Sequence, residues 1–253
     1  MEKRIINIFV AFLISAGSAC AVNVDSLFQE ANSDYKAGNF ESAIGKYLRI
    51  DSAGYQSATL YYNTANAYFR SNKIGEARLF YERALLLDPG DEDIQSNLMF
   101  LKELLTDRFD EVPELFIKRW FIGFVNIFNT NGWFIISSAL FLLAIISFIF
   151  YIFGKKLNIR RLGFYLGLGS IVLSIFSLYI SYKQWKHIDE PGAAVVIESS
   201  GSVKSSPRQS GKDLFILHEG TKVWVENELD QWTEIRISDG RKGWITEETI
   251  EKI

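Results

Sequence analysis

The side chains that could do covalent or metal chemistry in this 253-residue chain are few and scattered. Two histidines, His187 and His218, and one cysteine, Cys20, make up its whole stock of imidazole and thiol. A metal centre or a thiol mechanism needs such groups at ligand or hydrogen-bond spacing, and these lie far apart in the sequence. No G-x-S-x-G, Walker loop, H-E-x-x-H or G-x-G-x-x-G occurs. A calcium-loop reading of DPGDED (Asp88 to Asp93) fails the ligand spacing. The chain is therefore expected to be no enzyme and to hold no cofactor and no metal. The chemistry that remains is recognition. Asn32 and Asn66 carry amides that can bind a peptide backbone, and Lys36 and Arg70 carry cations that can meet a carboxylate.

Those four residues fall into two sets separated by 34 positions, and the whole surrounding segment repeats. A shift of 34 aligns Ala31 with Ala65, Asn32 with Asn66, Tyr35 with Phe69, Lys36 with Arg70, Ala43 with Ala77 and Tyr47 with Tyr81. Small alanines let two antiparallel helices close, aromatics fill the adjacent hole, and Pro89 ends the second helix. The stretch LYYNTANAYFRSNKIGEARLFYERALLLDP (Leu60 to Pro89) resembles the tetratricopeptide-repeat family. Its Tyr61, Ala65, Tyr68, Ala77, Tyr81, Ala84 and Pro89 fall on the family's helix-packing positions. Repeats are expected at about 24–57 and 58–91, with a capping helix at about 92–106, inside a repeat domain over 22–108. The first copy is the weaker one, with Asp34 where the second has Tyr68 and Tyr55 where it has Pro89. Gly38 and Gly54 are natural turn positions there. The resemblance implies a concave groove lined by the first helix of each pair. It would carry Phe28, Asn32, Tyr35 and Lys36, then Tyr62, Asn66, Phe69 and Arg70, as protein-binding residues. The alternative, that these are ordinary solvated residues, stays open.

Charge divides the chain into blocks. Residues 22–115 hold 9 Lys/Arg against 16 Asp/Glu, 116–187 hold 8 Lys/Arg and no acid, and 188–253 hold 8 against 13. Two acidic blocks thus flank a cationic, apolar middle. The positive charge sits beside hydrophobic runs and forms no one-sided basic face, so no nucleic-acid partner is expected. Residues 132–153 and 162–182 contain no Asp, Glu, Lys, Arg or His, and about 20 apolar residues span a bilayer's hydrocarbon core. Transmembrane helices are expected at 132–154 and 162–182, joined by a loop at 155–161. Two buried helices of a soluble bundle would need polar stripes, and none is expected in these runs. Tyr151, Tyr179, Tyr182 and Trp185 suit an interfacial belt. Gly163 and Gly167 could admit a close helix neighbour, although such spacing is common by chance. Upstream, Phe116 to Phe128 reads FIKRWFIGFVNIF, an interfacial amphipathic segment within a 109–131 linker or else an extension of the first span.

At the N-terminus, Lys3 and Arg4 precede an apolar run, and Ala19-Cys20-Ala21 fits a cleavage site. Residues 1–21 read as a signal peptide. An uncleaved anchor and lipidation at Cys20 are the alternatives.

After a linker at 183–193, residues 194–253 read as five short strands with tight turns, such as TKVWV and TEIRI. A small all-β barrel is expected. Val203 to Pro207, Gly220 to Val223, Gln231-Trp232 and Asp239 to Ile245 follow the order of motifs in bacterial SH3-like domains, which the segment resembles. That resemblance implies a ligand surface for which Trp232 and Trp244 are candidates, with core packing expected for at least one of them.

The whole order of segments, with the Val112 to Trp120 motif VPELFIKRW, resembles the E component of the Bacteroides aerotolerance (Bat) family. The resemblance implies work beside von Willebrand A-domain membrane proteins and a MoxR-type ATPase, in an envelope system tied to oxidative stress. The chain then reads as an adaptor in the bacterial inner (cytoplasmic) membrane, with the lipid bilayer and proteins as partners. A second reading is an envelope sensor that binds peptidoglycan through its SH3-like domain. Lys155, Lys156, Arg160 and Arg161 act as topology determinants, because cytoplasmic loops are rich in Lys and Arg. The signal peptide agrees, placing both acidic blocks in the periplasm. A reporter fused at Asn158 should be active only in the cytoplasm and one at Ile253 only in the periplasm; the reverse pattern would overturn this orientation.

Overall fold

The computed structural model describes residues 23–109, 115–189 and 192–253. The expected signal peptide with Cys20, and part of the VPELFIKRW motif, lie outside the described residues. The chain divides at Gln56 into two compact units.

In the first unit, α1 (Val24–Lys36) and α2 (Phe40–Ser52) form a helical hairpin. Asn23 caps α1 by accepting from the Ser26 amide at 3.2 Å. Gly38 makes the turn in the left-handed region, φ +83°. Leu27 and Ala31 pack against Ala43, Ile44, Tyr47 and Ile50. The Tyr47 hydroxyl donates to Asn32 Oδ1 at 2.6 Å, and its ring lies 5.9 Å from that of Phe28. Burial pushes the Tyr47 hydroxyl up to about 12, so it remains a donor.

The second unit opens with α3 (Ala58–Arg70), α4 (Ile74–Leu87) and α5 (Glu92–Leu104). Its first hairpin reproduces the side-chain pairs of α1 and α2 at a shift of 34. Tyr81 donates to Asn66 Oδ1 at 2.5 Å, and the Tyr62 and Tyr81 rings lie 6.0 Å apart. Asn72 takes the turn position of Gly38 with φ +59°, a region asparagine tolerates. The odd residue of the first copy also finds its reason. Asp34 and Lys46 form an ion pair at 2.9 Å, while their counterparts Tyr68 and Phe80 stack at 5.4 Å. One pair of positions thus holds either a charge pair or an aromatic stack. Asp91 caps α5, accepting from the amides of Asp93 and Ile94 at 2.9 and 3.1 Å.

Next come α6 (Phe116–Val125), α7 (Thr130–Phe153) and α8 (Leu157–Asp189). Residues 126–129 break the helix, so the amphipathic segment is separate from the first apolar helix. α7 and α8 are long and apolar enough to cross a membrane, and they pack on each other. Their outward faces are bare Phe, Ile and Leu. Their contact face holds a stripe of serines that the sequence reading did not anticipate, with Ser170, Ser174, Ser177 and Ser181 all buried on α8. Ser137 and Ser174 donate to each other's backbone carbonyls at 2.9 Å, and Ser181 donates to Thr130 O at 3.0 Å. A Cβ on Gly163 would lie 2.6 Å from Ser147 O and 2.8 Å from Tyr151 N, so the glycine spacing serves contact with α7. α8 begins inside the expected 155–161 loop and runs on past Tyr182 to Asp189.

The C-terminal part is a seven-stranded antiparallel sheet rather than the expected five strands. β1 (Ala193–Val196), β2 (Ser200–Lys204), β3 (Asp213–His218), β4 (Lys222–Leu229), β5 (Trp232–Arg236), β6 (Lys242–Thr246) and β7 (Ile250–Lys252) follow in sequence. Their spatial order is β3-β2-β6-β5-β4-β1-β7. The additional strands, β2 and β7, are short and mostly polar, which hides their alternation. Val203, Leu217, Val223, Ile235, Ile237 and Ile245 build the core. Gly243 lets β2 close on β6, since a Cβ there would lie 2.5 Å from Val203 Cγ1.

Gly163→Val should destabilise the α7–α8 pair by about 1–3 kcal/mol through overpacking. Gly169→Val, whose Cβ meets nothing within 4 Å, should cost much less. Thermal unfolding of the full chain in detergent checks the difference.

Candidate protein-binding site

The candidate residues fall on α1 and α3. On α1, Phe28 and Asn32 are engaged by Tyr47, and the Tyr35 ring meets Phe40 edge-on at 5.5 Å. Lys36 stands exposed in the last turn. On α3, helix α5 lies against the candidate face. Asn97 Nδ2 donates to the Tyr62 hydroxyl at 2.8 Å, and Phe100 meets Phe69 edge-on at 6.0 Å. Arg70 is exposed at the end of α3. Sequence reasoning gave α5 the task of covering an apolar face but did not foresee that Asn97 and Phe100 would engage this set. Their i, i+3 spacing was the available signal. Met99, Phe100 and Leu104 remain 65%, 54% and 52% exposed on α5.

Two hairpins share the same Asn–Tyr bond, the same kind of aromatic contact and a turn residue with positive φ, so they form a helical repeat region. The tetratricopeptide-repeat family model matches residues 58–91. The match covers α3, its turn, α4 and the loop after it. No curated protein matches the chain. Tetratricopeptide repeats are typically protein-interaction modules, so the match points to a protein-binding role for residues 58–91.

The repeat's second helix has another neighbour that the sequence did not reveal. β1 lies against α4, and all four of its residues are buried. Glu82 of α4 is 4% exposed and receives Lys222 Nζ at 2.6 Å, with Arg78 Nη2 at 3.5 Å. Burial alone would raise this carboxyl, but Lys222 and Arg78 outweigh it and hold it below the ordinary carboxylate value. Arg83 reaches Glu251 Oε1 at 3.0 Å and Lys252 O at 2.7 Å. The start of α4 has no side-chain cap of its own; the Gly75 amide donates to Glu219 Oε1 at 2.7 Å. A Cβ at Gly75 would meet Glu219 Cγ at 2.9 Å and Val196 O at 3.0 Å, so only glycine fits.

After α5 the chain forms a strap onto the same sheet. Asp107 accepts from the His218 amide at 2.7 Å and the Thr221 hydroxyl at 2.8 Å, and lies 2.8 Å from His218 Nδ1. Burial would raise the Asp107 carboxyl; the bonds from His218 and Thr221 outweigh it and lower it. Phe109 packs at the edge of the sheet core, with the Arg241 guanidinium 5.4 Å from its ring.

Of the two candidate tryptophans, Trp232 is 5% exposed in the sheet, whereas Trp244 on β6 is half-buried, paired across from Glu234 and Lys204. Lys155, Lys156, Arg160 and Arg161 are all exposed around the α7–α8 turn, where Arg160 lies over Tyr151 at 5.7 Å. Among the described residues no three His, Cys, Asp or Glu side chains group as a metal site.

Removing the Glu82 charge takes the carboxylate away from Lys222 at a buried site, so Glu82→Gln should cost about 3–5 kcal/mol. A carboxyl held low in the folded state contributes stability that is complete above its unfolded value of about 4.3 and is lost as pH falls through its folded value. Wild-type melting temperature should therefore drop in acid below that value. Glu82→Gln should melt lower at neutral pH and lose less on acidification, which a pH series of unfolding curves measures.

Proposed function

We propose that this protein is a non-enzymatic adaptor of the bacterial inner membrane that holds partner proteins beside the bilayer. Helix α4 is the observation that carries the proposal, because it is at once a wall of the tetratricopeptide repeat and the surface on which the β sheet sits. The same unit contains two helices long and apolar enough to cross a membrane. A repeat fastened in this way presents its faces at a fixed place, which suits a scaffold.

Several features support the finer reading. The bare outer faces of α7 and α8 suit lipid tails, since in water such large exposed apolar surfaces are unfavourable. The four cations at the α7–α8 turn favour a cytoplasmic turn, which leaves the repeats and the SH3-like sheet in the periplasm. Phe28, Asn32, Tyr35 and Lys36 on α1, and Tyr62, Asn66, Phe69 and Arg70 on α3, are the residues proposed to take proteins. On α3 the contact surface would extend to the exposed Phe100 and Met99. The order of segments supports a Bat-type envelope complex linked to oxidative-stress tolerance, with von Willebrand A-domain membrane proteins and a MoxR-type ATPase system as partners.

A second reading has Trp244 in its favour. Its half-buried ring lies beside Lys204 and Glu234, an arrangement that suits a peptidoglycan stem peptide. Crosslinking in native membranes followed by partner identification separates the two readings. The adaptor reading expects A-domain proteins, in amounts reduced several-fold by Phe100→Ala. Recovery of wall enzymes alone, together with Trp244-dependent retention of the full chain on sacculi, would overturn it in favour of the wall sensor.

A further inference from the structure

We propose that the cavity where α4, α6, α8 and β4 meet binds the headgroup end of an anionic phospholipid. Its volume is about 420 Å³. α4 and α6 supply an apolar wall that includes Leu85, Leu86, Ile122 and Val125. α8 and β4 supply polar groups, Lys183, Gln184, His187 and Lys222. One wall takes hydrocarbon and the other takes charge, which fits an amphiphile better than a soluble anion.

The charges point to a negative head. Glu82, the one carboxylate lining the cavity among the described residues, is already held by Lys222 and Arg78. Lys183 lies 5.9 Å from the Tyr179 ring centre and has no carboxylate partner among the described residues. Its charge is thus available for a phosphodiester. Gln184 ties this end of α8 to the end of α6 and the loop after it. Its Nε2 donates to Val125 O and Phe128 O, each at 3.0 Å, and this fixes the amide. Its Oε1 is buried and receives no hydrogen bond among the described residues. Phosphatidylglycerol supplies the negative phosphate that Lys183 would meet.

The place also fits. α6 has no buried residue and exposes Trp120 at 72% and Ile117 at 63%, as a helix lying in the lipid interface would. α8 has 33 residues, about 50 Å at 1.5 Å per residue, against a hydrocarbon core of about 30 Å. Its last turns, which carry Lys183, Gln184 and His187, extend beyond the core to the headgroup level. The proposal rests on the membrane reading above.

The test uses the full chain in neutral detergent, incubated with phosphatidylglycerol, with phosphatidylcholine of the same chains, or with glycerol 3-phosphate, and examined by native mass spectrometry. Phosphatidylglycerol should be retained, and phosphatidylcholine and glycerol 3-phosphate should not. Lys183→Gln should weaken retention about fivefold. Ile122→Trp, which fills the cavity, should abolish it at an unchanged melting temperature, while Lys155→Gln at the far turn should leave it intact. Equal retention of both lipids, retention of glycerol 3-phosphate alone, or indifference to Lys183→Gln would overturn the site. Alkaline extraction of cell membranes tests the underlying reading separately: a chain that stays in the pellet keeps the membrane reading even if the lipid site fails, and a chain that is released removes both.

Discussion

A carboxylate taken out of water must be met by cations or it will not stay ionised, and Glu82 shows how this chain meets that demand. Glu82 sits on the repeat, and Lys222 comes from the sheet. Neither unit element satisfies it alone. The repeat could not bury Glu82 there without the sheet, and β1 could not bury all four of its residues without α4. The other bonds across the seam, from Arg83, Glu219 and Asp107, follow the contact that this pair requires. A buried ion pair is weak evidence for high stability, because desolvation offsets much of its attraction. It does specify one arrangement, since any shift of the sheet on α4 separates the charges.

The parts of the fold that were legible in the sequence are those written in local periodicity. A 34-residue shift revealed the hairpins because helix packing needs Ala31 and Ala65, or Tyr47 and Tyr81, at equivalent places. The apolar runs revealed α7 and α8 by length alone. The candidate residues on α1 and α3 were found the same way, from position within a repeat. What α5 does to them depends on how Asn97 and Phe100 are brought over α3, which no single helix encodes. The serine stripe at 170, 174, 177 and 181 was visible as a helical spacing, yet each serine is small among large apolar neighbours and barely marks an average.

The seam was not legible, for a simple reason. Glu82 and Lys222 are 140 residues apart, and Asp107 and His218 are 111 apart. Each looks like an ordinary surface charge within its own element. β2 escaped for another reason: Ser200 to Lys204 is mostly polar, and only Gly201 and Val203 turn inward. Asp34 is the converse case. It looked like a defect in the first repeat and proved to be one half of a pair whose other half, Lys46, replaces Phe80.

The cap on α4 has a consequence in time. Gly75 is made early, before the two apolar helices, and Glu219 is made after both. The first turn of α4 therefore waits for an acceptor that is separated from it by the whole membrane-length hairpin. A chain halted before β3 can wind its repeats but leaves that turn open and the side of α4 facing β1 uncovered. Completion of the sheet is thus recorded at the far end of the protein, in a helix that was synthesised long before it.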